Sequence, residues 1–232
     1  LNLYFRPKWK TIKNGSANYV KQIEIQLKGP IYKNEKVYKV YRKDKSVTIK
    51  STNFTRVYDN VIMALHTDKI LSILDKPTKL EKIMFSQLKY EKNKVFVHQD
   101  PKLMPYNKKV WSAWNSIIFN KNKDGFSKKN ICVTYWINKL QNIKTKNPLF
   151  VTLNPPKNFM PKKEKIIKII EFSHPLFNLK SSILKPKLKY IQGYNNTFYI
   201  GAWTGNGFHE DGMKSAIEIA NRFNVKFYHE DL

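Results

Sequence analysis

The residues best able to do chemistry lie near the end of the sequence, in FYIGAWTGNGFHEDGMKSAIEIANR, positions 198–222. A β-like run over 198–202 breaks into glycines at Gly201, Gly205, Gly207 and Gly212, and a helical pattern follows. Glycine leaves the backbone bare, and a helix start carries unpaired N–H groups and a positive dipole end. Together they could cradle an anion. Glu210 and Asp211 in the first turn of the expected helix also suit a capped helix packed on a sheet, and both readings stand. As a dinucleotide fingerprint the stretch fails, because Glu210 stands where G-x-G-x-x-G needs its third glycine. Too few residues follow for another strand–helix–strand unit, so a ligand held here would sit in a site opened elsewhere. Met213, Ala216, Ile217, Ala220 and Phe223 recur at helical spacing and are expected to form one apolar stripe.

Other reactive side chains are scattered. His209 sits inside the glycine stretch, either facing a ligand or as a polar residue of the helix start. His66 reads as a cap at a strand-to-helix turn, His98 as a satisfied sheet histidine or as one facing a substrate cavity, and His174, before Pro175, as a turn residue. Cys132, the single cysteine, lies in an apolar strand-like run and reads as a buried thiol in a reducing, cytoplasmic setting. No histidine pair shares a ligand spacing, so no metal site is expected. Trp111, Trp114, Tyr135 and Trp136 fall on presumed neighbouring strands, as core or as the wall of an apolar substrate cavity. No acid–base pair or nucleophile constellation stands out, so no catalytic residue is assigned.

The elements that must position these residues follow from periodicity. Asn14-Gly15 marks a turn, Ser16 a candidate N-cap, and 17–27 a helix. Strands are expected over 36–43 and 46–51, then a strand buried on both faces over 56–65, then a helix over 66–74. Four antiparallel strands are expected at 94–100, 110–119, 130–138 and 148–156, a helix at 162–174, and an extended stretch at 4–13. The layout is an antiparallel sheet inserted between two pieces of another domain.

The formal net charge is +26, yet all but four of the 43 basic residues are lysine, and they are dispersed. Base-edge and bidentate phosphate readout favour arginine, so specific nucleic-acid binding is not expected. A non-catalytic basic module binding nucleic acid or an anionic membrane surface is the alternative function, and peripheral membrane contact fits the same charge.

The motifs RPKWKTIKNGSANYV, VIMALHTDKIL, HQDPKLMP, WSAWN, VTYWINKLQNI, FVTLNPP and IQGYNNTFYIGAWTGNGFHEDG occur in order along the chain. In these the sequence resembles the FAD-dependent amine-oxidase-like oxidoreductases, in particular a bacterial branch of NAD/FAD-binding proteins. The resemblance implies an α/β (α+β) chain: the second half of a discontinuous FAD-binding domain carrying an inserted antiparallel-sheet substrate domain. It implies FAD-binding pieces over 1–75 and 191–232 and a substrate-binding sheet domain over 76–190. It also implies cofactor contacts at Val37, Gly201, Ala202, Trp203, Gly207, Phe208, His209, Glu210, Asp211, Gly212 and Met213, with VIMALH returning beside the cofactor. The reaction implied is hydride transfer between flavin and an apolar, lipid-like or amine-bearing small molecule. The family's N-terminal G-x-G-x-x-G unit has no match here, so the chain is expected to be a fragment whose partner is that missing FAD-binding half. Asn14 also departs from the branch, which has the first glycine of a Gly-Gly-Ser there.

Overall fold

The computed structural model describes residues 10–119 and 130–225. Most of the extended stretch expected at 4–13 lies outside them. The described chain mixes helices with mainly antiparallel sheets and divides into two compact units, each discontinuous in sequence. One runs through Ile31 and then Lys92–Phe172; the other is Tyr32–Glu91 with the chain from Ser173 onward. The boundaries expected at 75/76 and 190/191 therefore fall inside the second unit.

The second unit begins with a meander: β1 (Val37–Lys43), β2 (Ser46–Ser51) and β3 (Thr55–Tyr58), paired in that order and antiparallel. The run expected to be one buried strand over 56–65 is broken at Asp59-Asn60. Its first part is β3, exposed throughout, and its second is β4 (Val61–Met63). A turn-forming Asp-Asn pair outweighs apolar continuity here. Two helices follow, α2 (Thr67–Ile73) and α3 (Lys79–Gln87), the second not expected from periodicity. Thr78 caps α3 through a reciprocal capping box with Glu81. The unit resumes with α5 (Leu179–Leu184), β10 (Thr197–Tyr199) and α6 (His209–Arg222). β10 pairs with β4 in parallel, Phe198 opposite Ile62. Val40, Ile70, Met84, Phe85, Tyr199 and Trp203 are among the buried residues of one shared core.

A polar knot sits in that core. The Glu81 carboxylate accepts both Arg42 guanidinium arms at 2.6 and 3.0 Å, the Tyr199 hydroxyl at 2.6 Å and the Thr78 amide at 2.7 Å. Neither charged side chain is more than 2% exposed. Burial alone would push the Glu81 carboxyl up, but the hydrogen bonds from Arg42, Tyr199 and Thr78 outweigh it and hold it below the usual carboxylate range.

The other unit holds α1 (Ser16–Gln26), α4 (Ile137–Gln141) and a five-stranded sheet. Its strands are β5 (Tyr90–His98), β6 (Trp114–Phe119), β7 (Asn130–Trp136), β8 (Phe150–Leu153) and β9 (Ile166–Pro175), in the order β6-β7-β8-β5-β9. Gly15, rather than Ser16, takes the N-cap position of α1. The segment expected to be a helix at 162–174 is a 3₁₀ turn at Lys163–Lys165 leading into β9. β-Branched isoleucines at 166, 167, 169 and 170 favour extended backbone, and β9 lies at the edge of the sheet, where exposed lysines are tolerated. Across the buried face of the sheet runs a side-chain chain. Asp100 N–H donates to His98 Nδ1 at 3.1 Å, His98 Nε2 meets Thr152 Oγ1 at 2.7 Å, and Thr152 meets Thr134 Oγ1 at 2.8 Å. With Nδ1 accepting, Nε2 carries the proton, so His98 is the satisfied, fully buried sheet histidine expected from sequence. Burial pushes its pKa down, against the pull of Asp100.

Two outcomes follow. Glu81→Ala is expected to cost about 3–5 kcal/mol in urea unfolding, since it leaves Arg42 buried and unpaired. The wild-type contribution of Glu81, whose folded pKa is depressed, is present above the ordinary value and lost as pH falls through the folded one. His98, whose folded pKa is also depressed, acts in the same direction but at higher pH. It takes up a proton on unfolding near pH ~6.5 but not when folded, so stability drops as pH falls below that value, and His98→Asn is expected to flatten this part of the stability–pH curve.

Candidate functional site

The parallel pair β4–β10 sets the place. In sheets with parallel strands, ligands collect at the carboxyl ends. Here those ends are Ala64–His66 after β4 and Gly201–Trp203 after β10, and a cleft of about 320 Å³ opens between them. His66 and Tyr90 stack across part of it, ring centres 4.5 Å apart and 18° from parallel. The Tyr90 hydroxyl accepts the Thr67 amide at the start of α2, which fixes the pair. Gly201, Ala202 and Gly207 supply wall without bulk.

The glycines are bare for specific reasons. Gly201 has φ +144°, and a Cβ there would meet the Trp203 indole nitrogen at 2.8 Å. A Cβ on Gly205 would meet the Asp211 carboxyl carbon at 2.3 Å. The Asp211 carboxylate turns back into the loop and accepts the N–H groups of Asn206 at 2.9 Å and Phe208 at 3.0 Å. These two donors, part of the expected cradle, are thus used internally. They hold the Asp211 pKa down, the Phe208 amide most. What is left for a ligand is the turn opened by Ala202 and Trp203, whose first N–H groups have no intrahelical carbonyl to meet.

Of the other expected cofactor residues, Phe208, His209, Glu210 and Met213 are exposed on α6 and its cap and do not line the cleft. Gly212 packs against the Ala202 backbone nitrogen, 3.5 Å from where a Cβ would stand. Val37 opens β1 and packs half-buried on the hydrophobic core. The stripe expected on α6 is rotated: Met213 and Phe223 are exposed, and the buried positions are Ser215 and Ile219. Ser215 was not singled out in the sequence, though a serine amid an apolar helix pattern was the available sign. Its hydroxyl accepts the Gly201 amide at 3.0 Å and donates to the Gly212 carbonyl at 2.7 Å, bolting α6 to the end of β10.

The four aromatic residues of the five-stranded sheet do not form one wall. Trp111 packs edge-on against Trp136 at 5.3 Å and Phe150 at 5.7 Å, and its indole N–H donates to the Pro105 carbonyl. Trp114 meets Tyr135, its cross-strand partner, at 5.8 Å. Tyr135 and Trp136 are consecutive in a strand and so point to opposite faces. Cys132 is buried and its thiol is pushed up to about 11, which makes it inert as a nucleophile. Among the described residues no cluster of three or more His, Cys, Asp or Glu could hold a metal, and no helix is long and apolar enough to cross a membrane. Two buried indole N–H groups, those of Trp136 and Trp203, have no hydrogen-bond partner among the described residues, and Trp203 lines the cleft.

No family model matches the sequence, and no curated protein matches it. Solved structures match the fold. A fatty acid isomerase from P. acnes, described as producing CLA, superposes with a TM-score of 0.61 at 17% identity, over 91% of this chain and 52% of its own. A putative protoporphyrinogen oxidase from Exiguobacterium sp. 255-15 gives 0.59 at 10% identity, over 91% and 51%. A putrescine oxidase redesigned in its cofactor binding gives 0.59 at 12% identity, over 90% and 53%. The chain thus spans about half the length of the structures it matches, and at these identities the likeness is one of fold.

Ser215→Ala is expected to leave the Gly201 amide unpaired and to cost about 1–3 kcal/mol in denaturant unfolding. Ser215→Thr, which keeps the hydroxyl, should recover part of that loss.

Proposed function

We propose that this chain is part of an FAD-dependent oxidoreductase of the amine-oxidase-like type, and that the unit containing β4, β10 and α6 contributes the flavin-contacting turn. The fold shared with an isomerase and two oxidases supports the general class, as does the motif resemblance. The observation that carries the reading is the cleft at the carboxyl ends of β4 and β10, walled by glycine backbone and by Trp203, whose buried indole N–H has no partner among the described residues.

The residues present fit one end of such a cofactor. A volume of about 320 Å³ is at the low end for small-molecule sites, ~300–1,000 Å³, enough for a ring system but not a whole dinucleotide. Gly201 and Ala202 would lie under the ring system, the His66–Tyr90 stack would flank it, and Trp203 Nε1 would donate to one of its acceptor atoms. When bound, the flavin supplies hydride transfer, so the protein needs to orient substrate rather than provide a nucleophile. In this reading the remainder of the dinucleotide site comes from a further FAD-binding half. The unit holding the five-stranded sheet would bind an apolar, lipid-like or amine-bearing molecule, and exposed Trp114, packed on half-buried Tyr135, offers more contact than the half-buried Trp111–Trp136 pair.

The test is titration of the purified protein with FAD, followed by quenching of flavin fluorescence, in wild type and Trp203→Phe. The variant removes the orphan donor together with part of a buried ring, so it also costs some stability, and FAD binding is compared under conditions where unfolding curves show both proteins folded. FAD affinity is expected to fall about 5- to 10-fold, the worth of one hydrogen bond. A folded protein that takes up no FAD in any form would remove the cofactor reading. Equal affinity of the two proteins would remove Trp203 from the site.

A further inference from the structure

We infer that a second cleft, walled by the same glycine turn, is a binding site for a small phosphate monoester, with Lys185, Lys189 and Lys214 as the groups that hold its phosphate. The inference goes beyond the flavin reading and does not depend on it.

The second cleft has a volume of about 350 Å³ and lies wholly within the unit of β4, β10 and α6. The 3₁₀ turn Lys185–Tyr190, which follows α5, supplies one wall and α6 another, with Thr204 and Gly205 contributed by the glycine turn. Lys185 and Lys189 come from the first wall and Lys214 from the second, so three ammonium groups of separate origin converge on one space.

Hydrogen-bond accounting decides what this space can take. Its carboxylates and neutral polar groups are engaged. Asp211 accepts the Asn206 and Phe208 amides, and Glu218 lies 3.6 Å from Arg222. The Gln192 side chain serves both backbone groups of Tyr199. Ser215 links Gly201 to Gly212, and the Thr204 hydroxyl donates to the Gly201 carbonyl at 2.8 Å. What the cleft has to spare is donors. An ammonium carries three N–H groups. Lys185 places one on the Gly205 carbonyl and stands 4.0 Å from the centre of the Phe177 ring. Burial lowers its pKa by more than the Asp211 carboxylate raises it, so the protein does not fully offset its charge. Spare donors beside engaged acceptors suit an anion rather than a cation. Three cations match a dianionic phosphate better than a carboxylate. Pro186 and Leu188 add an apolar wall, and the volume, at the low end of the ~300–1,000 Å³ of small-molecule sites, admits an organic body beyond the phosphate.

The side chains that hold the glycine turn also face this cleft: Lys185 through Gly205, Asp211 through Asn206 and Phe208, and Ser215 through Gly201. A phosphate bound there touches the turn's own supports, so its arrival is readable at the Thr204 and Gly205 amides.

Phenyl phosphate, titrated into the purified protein at fixed ionic strength, is expected to move those two amide resonances along one saturating curve. Inorganic phosphate, which lacks the organic body, should act at the same amides at least about fivefold more weakly. Lys189→Gln combined with Lys214→Gln, both at exposed positions, should weaken phenyl phosphate at least about tenfold with unfolding curves unchanged. Lys180→Gln combined with Lys187→Gln removes the same charge from positions outside the cleft and should change affinity less than about twofold. Absence of a saturating shift with phenyl phosphate, or equal losses in the two double variants, would overturn the site. Equal affinity for inorganic phosphate would overturn the monoester. FAD added first should leave phenyl phosphate binding unchanged. Displacement would overturn the inference by merging the lysine cleft with the flavin site, whereas failure of FAD to bind at all counts against the flavin reading alone.

Discussion

One buried carboxylate fixes the geometry of the candidate site. Glu81 is fully excluded from solvent and meets four donors, two on Arg42, one on Tyr199 and one on the Thr78 backbone. Burying a carboxylate is expensive unless its lone pairs are filled, so the four donors act as a set. They come from β1, from β10 and from the cap of α3, elements far apart in sequence. Tyr199 therefore cannot shift along its strand, and its own backbone is gripped again by Gln192. Two residues later the chain reaches Gly201. The position of the glycine turn is inherited from a charge pair at the other end of a tyrosine side chain.

That inheritance changes the meaning of the glycines. Bare backbone at a strand-to-helix turn invites the idea of open N–H groups awaiting an anion. Yet Gly205 is bare because Asp211 lies where its Cβ would be, and Asp211 then satisfies the loop's own amides. Gly207, at φ +92°, faces the Phe177 ring at 3.2 Å from a would-be Cβ. Two of the four glycines thus serve the turn itself. Room for a ligand narrows to Gly201 and Ala202, where backbone and the Trp203 indole meet the cleft, and a self-capped turn is a rigid floor for it.

How much of this was legible in the sequence depends on the range of the forces involved. β1, β2, α2 and the strands β5 to β8 are written in local periodicity and turn residues, and they stand where that pattern puts them. α3 was also written locally, in the capping box of Thr78 and Glu81, but Lys79, Glu81 and Lys82 in its first turn hide the apolar face. The segment at 162–174 misleads for the opposite reason: lysine-rich spacing imitates a surface helix, while the strand is set by pairing in the sheet. The run at 56–65 looks continuous, although its halves join different sheets. The tilt of the α6 stripe toward Ser215 answers to a hydrogen bond from Gly201, fourteen residues away, which no helical period encodes.

The same distinction between local pattern and paired geometry applies to the five-stranded sheet. Along β7, Cys132 and Thr134 lie on the buried face and share it with Trp136, which packs on Trp111. That face also carries the His98–Thr152–Thr134 chain, so its aromatic residues pack beside a hydrogen-bonded polar row, with the Trp136 indole N–H left without a partner among the described residues. Tyr135, one residue earlier, takes the other face, where Trp114 is 61% exposed beside it. An exposed tryptophan braced on a half-buried tyrosine offers apolar area with little conformational entropy to lose on contact. Composition alone treats the four aromatics alike. The pleat separates them, and it leaves the Trp114–Tyr135 face as the one with area to offer an apolar molecule.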